Sequence, residues 1–249
     1  MEDRSEQEII FGRRPVVEAL RGEAPLQRIY VLKQAVGVPK EVFTLARAQD
    51  IAVVHCDRER LDYMCRRGNH QGVAAVRAVR NFDSLEDILE NCRSSDRAPF
   101  ILILDGVQDP GNFGALLRTA EGAGVHGVVV TSSNSCGFTP AVTRASAGAS
   151  QYILAARVPK LGAVLQKLRD NGFAVIGADA NTDSDYTQAD YTGPVAVVMG
   201  AEGKGLHPNV KRLCTKLIHI PMLGKIESLN VSVAGGIMMY EVMRQRNAK

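Results

Sequence analysis

The sequence predicts an α/β protein: a domain with a mostly parallel sheet over residues 100–249, preceded by a smaller α/β or α+β module. Three observations carry this. Apolar, β-branched runs recur at 100–104, 127–131, 173–178, 195–199 and 217–220, with a weaker one near 152–158. Segments with helix-capping residues separate them, and strands that are apolar throughout are buried on both faces, the habit of parallel sheets covered by helices. The chain has 249 residues, 45% hydrophobic and 23% charged, an ordinary globular composition that suits one large domain or two modest ones.

Taken in order, the module supplies strands near 28–33, 51–55 and 72–76 between helices. A polar stretch from Asn81 to Pro99 closes with Ser94-Ser95-Asp96-Arg97-Ala98-Pro99 and holds one short helical piece, Leu85, Ile88 and Leu89. This gives residues 1–79 as the module, 80–99 as a linker and 100–249 as the larger domain. There, Asn112 can cap a helix over 113–122 that Gly122 and Gly124 stop. Thr139-Pro140 reads as an N-cap followed by proline in the first helical position. Pro159 starts a helix ending at Asn171-Gly172, and 230–246 forms the last helix, finishing in Arg244 and Arg246.

Thirty Lys and Arg against 27 Asp and Glu leave a net charge of only +3, so no charge extreme announces a partner. Apolar stretches fall far short of the ~18 residues that span a bilayer, and the polar, acidic start MEDRSEQEII is unlike a secretory or transit peptide. No membrane association is expected, and a cytoplasmic location is. The five cysteines are scattered without a C-x-x-C pair, which leaves no disulfide framework and no metal site to expect. The charges are uneven, however. Residues 58–80 carry six arginines (Arg58, Arg60, Arg66, Arg67, Arg77, Arg80) against Glu59 and Asp62, with His70 and Gln71 among them. That is a modest signal for an anionic surface, with a solvated face as the plain alternative.

Two familiar signatures fail on context. Gly122-Ala123-Gly124-Val125-His126-Gly127 matches G-x-G-x-x-G, but it ends a helix and leads into a strand, the reverse of a dinucleotide site. Gly203-Lys204 resembles a phosphate loop, but Val198 stands where the first glycine is required and Gly205 where Ser or Thr should hold magnesium. What remains are three polar segments, each directly after an apolar strand: DGVQDPGNFGALLRTA from Asp105, MGAEGKGL from Met199, and IPMLGKIESLNVSVA from Ile220. In open α/β sheets ligands bind beyond the carboxyl ends of strands, so chemistry belongs in these loops. Taken singly, each also reads as a turn and a helix cap.

These segments resemble the three motifs of the SpoU/TrmH branch of the SPOUT RNA methyltransferases, read as N-x-G-x-x-x-R-T-A, G-x-E-G-x-G, and I-P-M with S-L-N-V-S-x-A. The resemblance covers residues 100–246, with RASAGA at 144–149 as an intervening segment, and is nearest the ribosomal RNA guanosine-2′-O-methyltransferase group. Ile10-Phe11-Gly12 and His70-Gln71-Gly72-Val73 resemble the ends of a ribosomal-protein-like RNA-binding domain. The resemblance implies a deep trefoil knot, which periodicity does not show and chains generally avoid. It implies S-adenosylmethionine (AdoMet) as cofactor, held by Gly200, Ile220, Met222 and Leu229. It implies a catalytic set of Asn112, Arg118, Glu202, Ser228 and Asn230, while the Arg-rich stretch gives Arg66, Arg67, His70 and Gln71 as the expected RNA contacts. The family casts the motif-one arginine as general base, yet a guanidinium is in effect always protonated. Arg118 therefore stands either as a base of strongly shifted pKa or as a phosphate clamp, with Glu202 the other proton acceptor. The expected product is a 2′-O-methylated guanosine in large-subunit ribosomal RNA. Transfer RNA, another target nucleotide, or a non-catalytic RNA-binding role are the alternatives. A homodimer is expected too, the last helix offering Val231, Val233, Ile237, Met238, Val242 and Met243.

Overall fold

The computed structural model describes residues 8–22, 24–33, 37–133, 135–203 and 205–248; Lys204 of the phosphate-loop lookalike lies outside the described residues. The chain divides into two compact units, Met1–Asn81 with Gly137–Ala141, and Phe82–Cys136 with Val142–Lys249.

The first unit is built on a four-stranded sheet of order β1-β4-β2-β3, with β1 at Ile9–Phe11, β2 at Leu26–Leu32, β3 at Ala52–Cys56 and β4 at Val73–Arg77. β4 runs antiparallel to both β1 and β2, while β2 and β3 are parallel, so the module is mixed. Alternation along the strands explains the apolar runs. Ile29, Val31, Val73 and Ala75 join a core with Val16 and Leu20 of α1 (Arg13–Arg21) and Val42 and Ala46 of α2 (Lys40–Ala48). Tyr30, Ala74 and Val76 point the other way, against Leu61 of α3 (Arg58–Met64) and Cys65. β1 escaped the sequence reading because three residues carry too little period to register.

The second unit holds a six-stranded, wholly parallel sheet of order β10-β8-β9-β5-β6-β7. Its strands are β5 (Phe100–Asp105), β6 (Gly127–Thr131), β7 (Ala155–Val158), β8 (Ala174–Ala178), β9 (Val195–Gly200) and β10 (Lys216–Ile218). Its helices are α4 (Leu85–Ser94), α5 (Pro110–Gly122), α7 (Leu161–Asp170), α8 (Pro208–Lys211) and α9 (Val231–Asn247), with α6 (Pro140–Ala145) divided between the two units at Ala141. Ile101 and Ile103 of β5 pack with Val198, Leu165 and Leu168 on one face, each such buried side chain contributing about 1.5–3 kcal/mol. The segment read as a linker holds α4, whose Ile88, Leu89 and Cys92 enter this same core, so it is structural rather than connecting. α5 and α9 meet closely, and a Cβ at Gly235 would collide with Leu116.

Two helix starts differ from expectation. α5 begins at Pro110, with Asp109 as N-cap accepting the Asn112 N–H at 2.7 Å, so Asn112 is not the cap. Proline in the first turn supplies the fixed φ and leaves Asn112 one turn inside. α7 begins at Leu161 because Lys160 stays extended, which puts Pro159 outside the helix. Among the described residues no helix is long and apolar enough to cross a membrane.

Candidate active site

β5 and β9 lie side by side in the centre of the second sheet, in register from Phe100 with Val195 to Asp105 with Gly200. The chain moves outward from β5 through β6 to β7, then resumes on the other side of β9 with β8, so this pair of strand ends marks a switch in topology. Two of the polar segments leave from here, and Asp105 ties them together by accepting the His207 N–H at 2.9 Å. Because Asp109 caps α5, the Asn112 side chain is spared for other partners. Its Nδ2 donates to Glu202 Oε1 at 2.9 Å, and its Oδ1 accepts from Asn230 Nδ2 at 2.9 Å. Asn230 Nδ2 also donates to Glu202 Oε1 at 2.7 Å, closing a triangle with one residue from each segment. Asn230 does this while capping α9, its Oδ1 accepting the Ser232 N–H at 2.9 Å and the Ser232 hydroxyl at 2.6 Å. Cap and site residue are therefore not alternatives: one oxygen serves the helix and one amide nitrogen serves the carboxylate.

Glu202 also lines a cavity of about 670 Å³, whose walls include Gly200, Ile220, Met222, Ser228 and Leu229. The turn after β9 folds back on itself, Ala201 and Gly205 exchanging N–H···O bonds of 3.2 and 2.9 Å. A Cβ at Gly200 would run into the backbone of Gly205 and Leu206, so only glycine allows this close return. On another wall Asp179 pairs with Lys211. Burial pushes the Asp179 carboxyl up, but the Lys211 bond and the Asn181 N–H at 3.0 Å outweigh it and hold the group below the ordinary carboxylate value.

Residues 99–240 match the model of the SpoU rRNA Methylase family, and residues 9–80 that of an RNA 2′-O ribose methyltransferase substrate binding domain. The chain belongs to the SpoU methylase family. It is an RNA methyltransferase. It is 39% identical over 239 residues to the putative TrmH family tRNA/rRNA methyltransferase YacO of Bacillus subtilis, covering 96% of each chain. Among solved structures it is similar to the AdoMet-bound rRNA methyltransferase from Sinorhizobium meliloti, at 27% identity and a TM-score of 0.60, over 97% of this chain and 88% of that one. It is also similar to the A. aeolicus TrmH/SpoU tRNA modifying enzyme, at 28% identity and a TM-score of 0.56, over 64% of this chain and 81% of that one.

In this SpoU methylase the structure gathers Asn112, Glu202 and Asn230, and places Gly200, Ile220, Met222, Ser228 and Leu229 on one cavity. Arg118 stays apart: it is exposed on α5 and makes no hydrogen bond or ion pair with the described residues. The expected RNA contacts need one correction. Arg66 and Arg67 are exposed, but His70 is only 4% exposed and cannot present its ring to RNA. Its Nδ1 accepts the Gly72 N–H at 3.0 Å and its Nε2 bonds Asp62 Oδ1 at 3.0 Å. Gln71 is likewise engaged, its Oε1 accepting the Arg13 N–H at 3.1 Å. Sequence reading missed Asp109 and the Asp179–Lys211 pair. Asp109-Pro110, an N-cap residue before a first-turn proline, was a legible signal for the first; nothing local announces the second.

Proposed function

We propose that this chain transfers a methyl group from AdoMet to a ribose 2′-hydroxyl of RNA, at a guanosine of large-subunit ribosomal RNA in the cytoplasm. The triangle of Asn112, Glu202 and Asn230 against the cavity is the observation that carries the reading. The cavity suits AdoMet. Its volume falls within the ~300–1,000 Å³ usual for small-ligand sites, Gly200 lines it, and Ile220, Met222 and Leu229 offer apolar surface to an adenine. Bound there, AdoMet supplies an activated methyl on a sulfonium with a good leaving group. The protein's share is alignment and the removal of one proton.

Asn112 and Asn230 fix the Glu202 carboxylate through Oε1. Oε2 has no hydrogen bond with the described residues and takes the 2′-hydroxyl proton as the ribose oxygen attacks. Arg118 clamps the neighbouring phosphate with its planar guanidinium fork, and Ser228 on the cavity wall hydrogen-bonds the ribose. The extent of the match supports a ribosomal over a transfer RNA target, because the similar rRNA methyltransferase matches 97% of this chain and the similar tRNA modifying enzyme 64%. The trefoil knot belongs to this reading, since the turn after β9 and the segment after β10 close on one cavity. So does a homodimer. Val231, Met238 and Val242 of α9 are buried within the chain, whereas Val233 and Tyr240 are exposed on a second apolar face that a second copy covers. Incubating the chain with methyl-labelled AdoMet and unmodified large-subunit ribosomal RNA, then mapping the label, tests the reading. One 2′-O-methylated guanosine is expected; label confined to transfer RNA, or on a base, overturns it.

A further inference from the structure

The Arg-rich turn of the first unit is held in an unfavourable backbone. Arg66 and Arg67 are consecutive, exposed, and left-handed, with φ of 51° and 60°. In that region Cβ crowds the following carbonyl, and two such residues in a row are rarer than one. Neither guanidinium has a hydrogen bond or ion pair with the described residues. Strain of this kind persists only where the surroundings over-determine it. The Asp62 carbonyl accepts the Arg67 N–H at 2.7 Å, and the Cys65 carbonyl accepts the Gly68 N–H at 2.9 Å. Gly68 lies against Phe11, whose ring a Cβ would meet at 2.7 Å. The buried His70 completes the frame. Since its Nδ1 accepts the Gly72 N–H, its proton sits on Nε2 and is donated to the Asp62 carboxylate. Asp62 is thus a hub, holding Arg67 by its main chain and His70 by its side chain.

We propose that residues 62–72 form a preorganised clamp for RNA phosphates, in which Arg66 and Arg67 make the contacts and Asp62 and His70 are positioning residues. The inference rests on the RNA-methyltransferase reading above. Two adjacent planar guanidiniums without a carboxylate partner match neighbouring phosphodiesters, whose oxygens each fork can bond in pairs. A turn fixed beforehand loses less freedom on binding than two arginines on a mobile loop. His70 takes no part in contact: its ring is enclosed and both nitrogens are committed within the turn.

The test is the binding of an unmodified large-subunit ribosomal RNA transcript to the full-length chain at several salt concentrations. Arg66→Ala with Arg67→Ala should flatten the slope of log affinity against log salt by about 1.4–1.8, from ~0.7–0.9 per lost phosphate contact. His70→Ala should reproduce most of that loss. His70→Asn, whose short amide can still accept the Gly72 N–H, should recover part of it. The triple variant should bind no more weakly than the arginine pair, because a positioning residue acts only through what it positions. AdoMet affinity should stay at wild type throughout. An unchanged slope in the arginine pair, as for a turn that meets a protein instead, overturns the proposal. So does a His70→Ala loss that adds fully to the arginine loss. Either failure leaves the methyltransferase reading standing if the wild type still methylates the transcript; a wild type that neither binds nor methylates it sinks that reading instead.

Discussion

The two units present polar groups by opposite means. In the second, Asn112 and Asn230 stand at the starts of α5 and α9, where Asp109 and Asn230 adopt ordinary extended or near-extended cap geometry. Such caps stabilise their helices by about 1 kcal/mol each while they aim side chains. In the first, Arg66 and Arg67 stand on left-handed backbone that costs about 1–3 kcal/mol per residue, and a buried imidazole must hold it. The difference teaches where each device can be seen. Helix starts after strands leave a spaced signature in the sequence, whereas a strained turn depends on a histidine whose burial no spacing reveals.

The largest expected effect falls on the triangle. Glu202→Gln should lower turnover by roughly 10²–10⁴-fold with AdoMet affinity unchanged in calorimetry. Arg118→Ala should likewise abolish turnover while the cofactor still binds, and an Arg118 variant with near wild-type activity would break the assignment of chemistry to the second unit. Next comes Gly200→Ala, whose Cβ collides with the returning turn. It should weaken AdoMet binding by about tenfold or more and destabilise the second unit by about 1–3 kcal/mol; retained affinity would mean the turn yields easily.

Asn230 sharpens the comparison by separating cap from site. Asn230→Ser keeps an N-cap acceptor for the Ser232 N–H but lacks the amide donor to Glu202, so turnover should drop while thermal stability stays within about 0.5 kcal/mol. Asn230→Ala should lose both, at a further cost of about 1 kcal/mol. Equal melting of the two variants would show that the cap contributes nothing.

The smallest effect is on pH. Burial, reinforced by Arg97, pushes His126 below its ordinary value of 6.5, and its Nδ1 accepts the Phe100 N–H at 3.0 Å. Its contribution is complete above the unfolded value and is lost as pH falls through the lower folded one. The Arg244 bond holds Glu241 below the ordinary carboxylate value, as Lys211 does for Asp179, so their share is lost only in stronger acid. Scanning calorimetry should find the second unit losing stability over the interval just below about pH 6.5, before those carboxylates protonate. A profile flat over that interval would remove His126 from the account.

Much of the second unit was legible because its strands are apolar on both faces and its loops carry residues no core would want. The limits are equally physical. Arg246, read as a charge complementing the end of α9, instead donates to the carbonyls of Tyr191, Ala98, Pro99 and Gly193 at 2.8–3.1 Å. Its role lies in segments that periodicity does not connect. His70, expected on an RNA surface, is buried instead, because its neighbours could not be known to fold over it.

Sequence by itself determined the parallel sheet, the order of its elements along the chain, the three polar loops that follow strands and the residue types in them. Those features are written in period, capping and turn residues, which act within about ten positions. Tertiary structure alone decided that Asn112 aims at Glu202 rather than capping its helix, that Arg118 is outside that hydrogen-bonded triangle, and that Asp62 bonds both the Arg67 main chain and the buried His70. Asn112 lies 90 and 118 residues from its two partners in the triangle; pairing of β5 with β9 brings Glu202 to it, and the long segment after β10 carries Asn230 back to both.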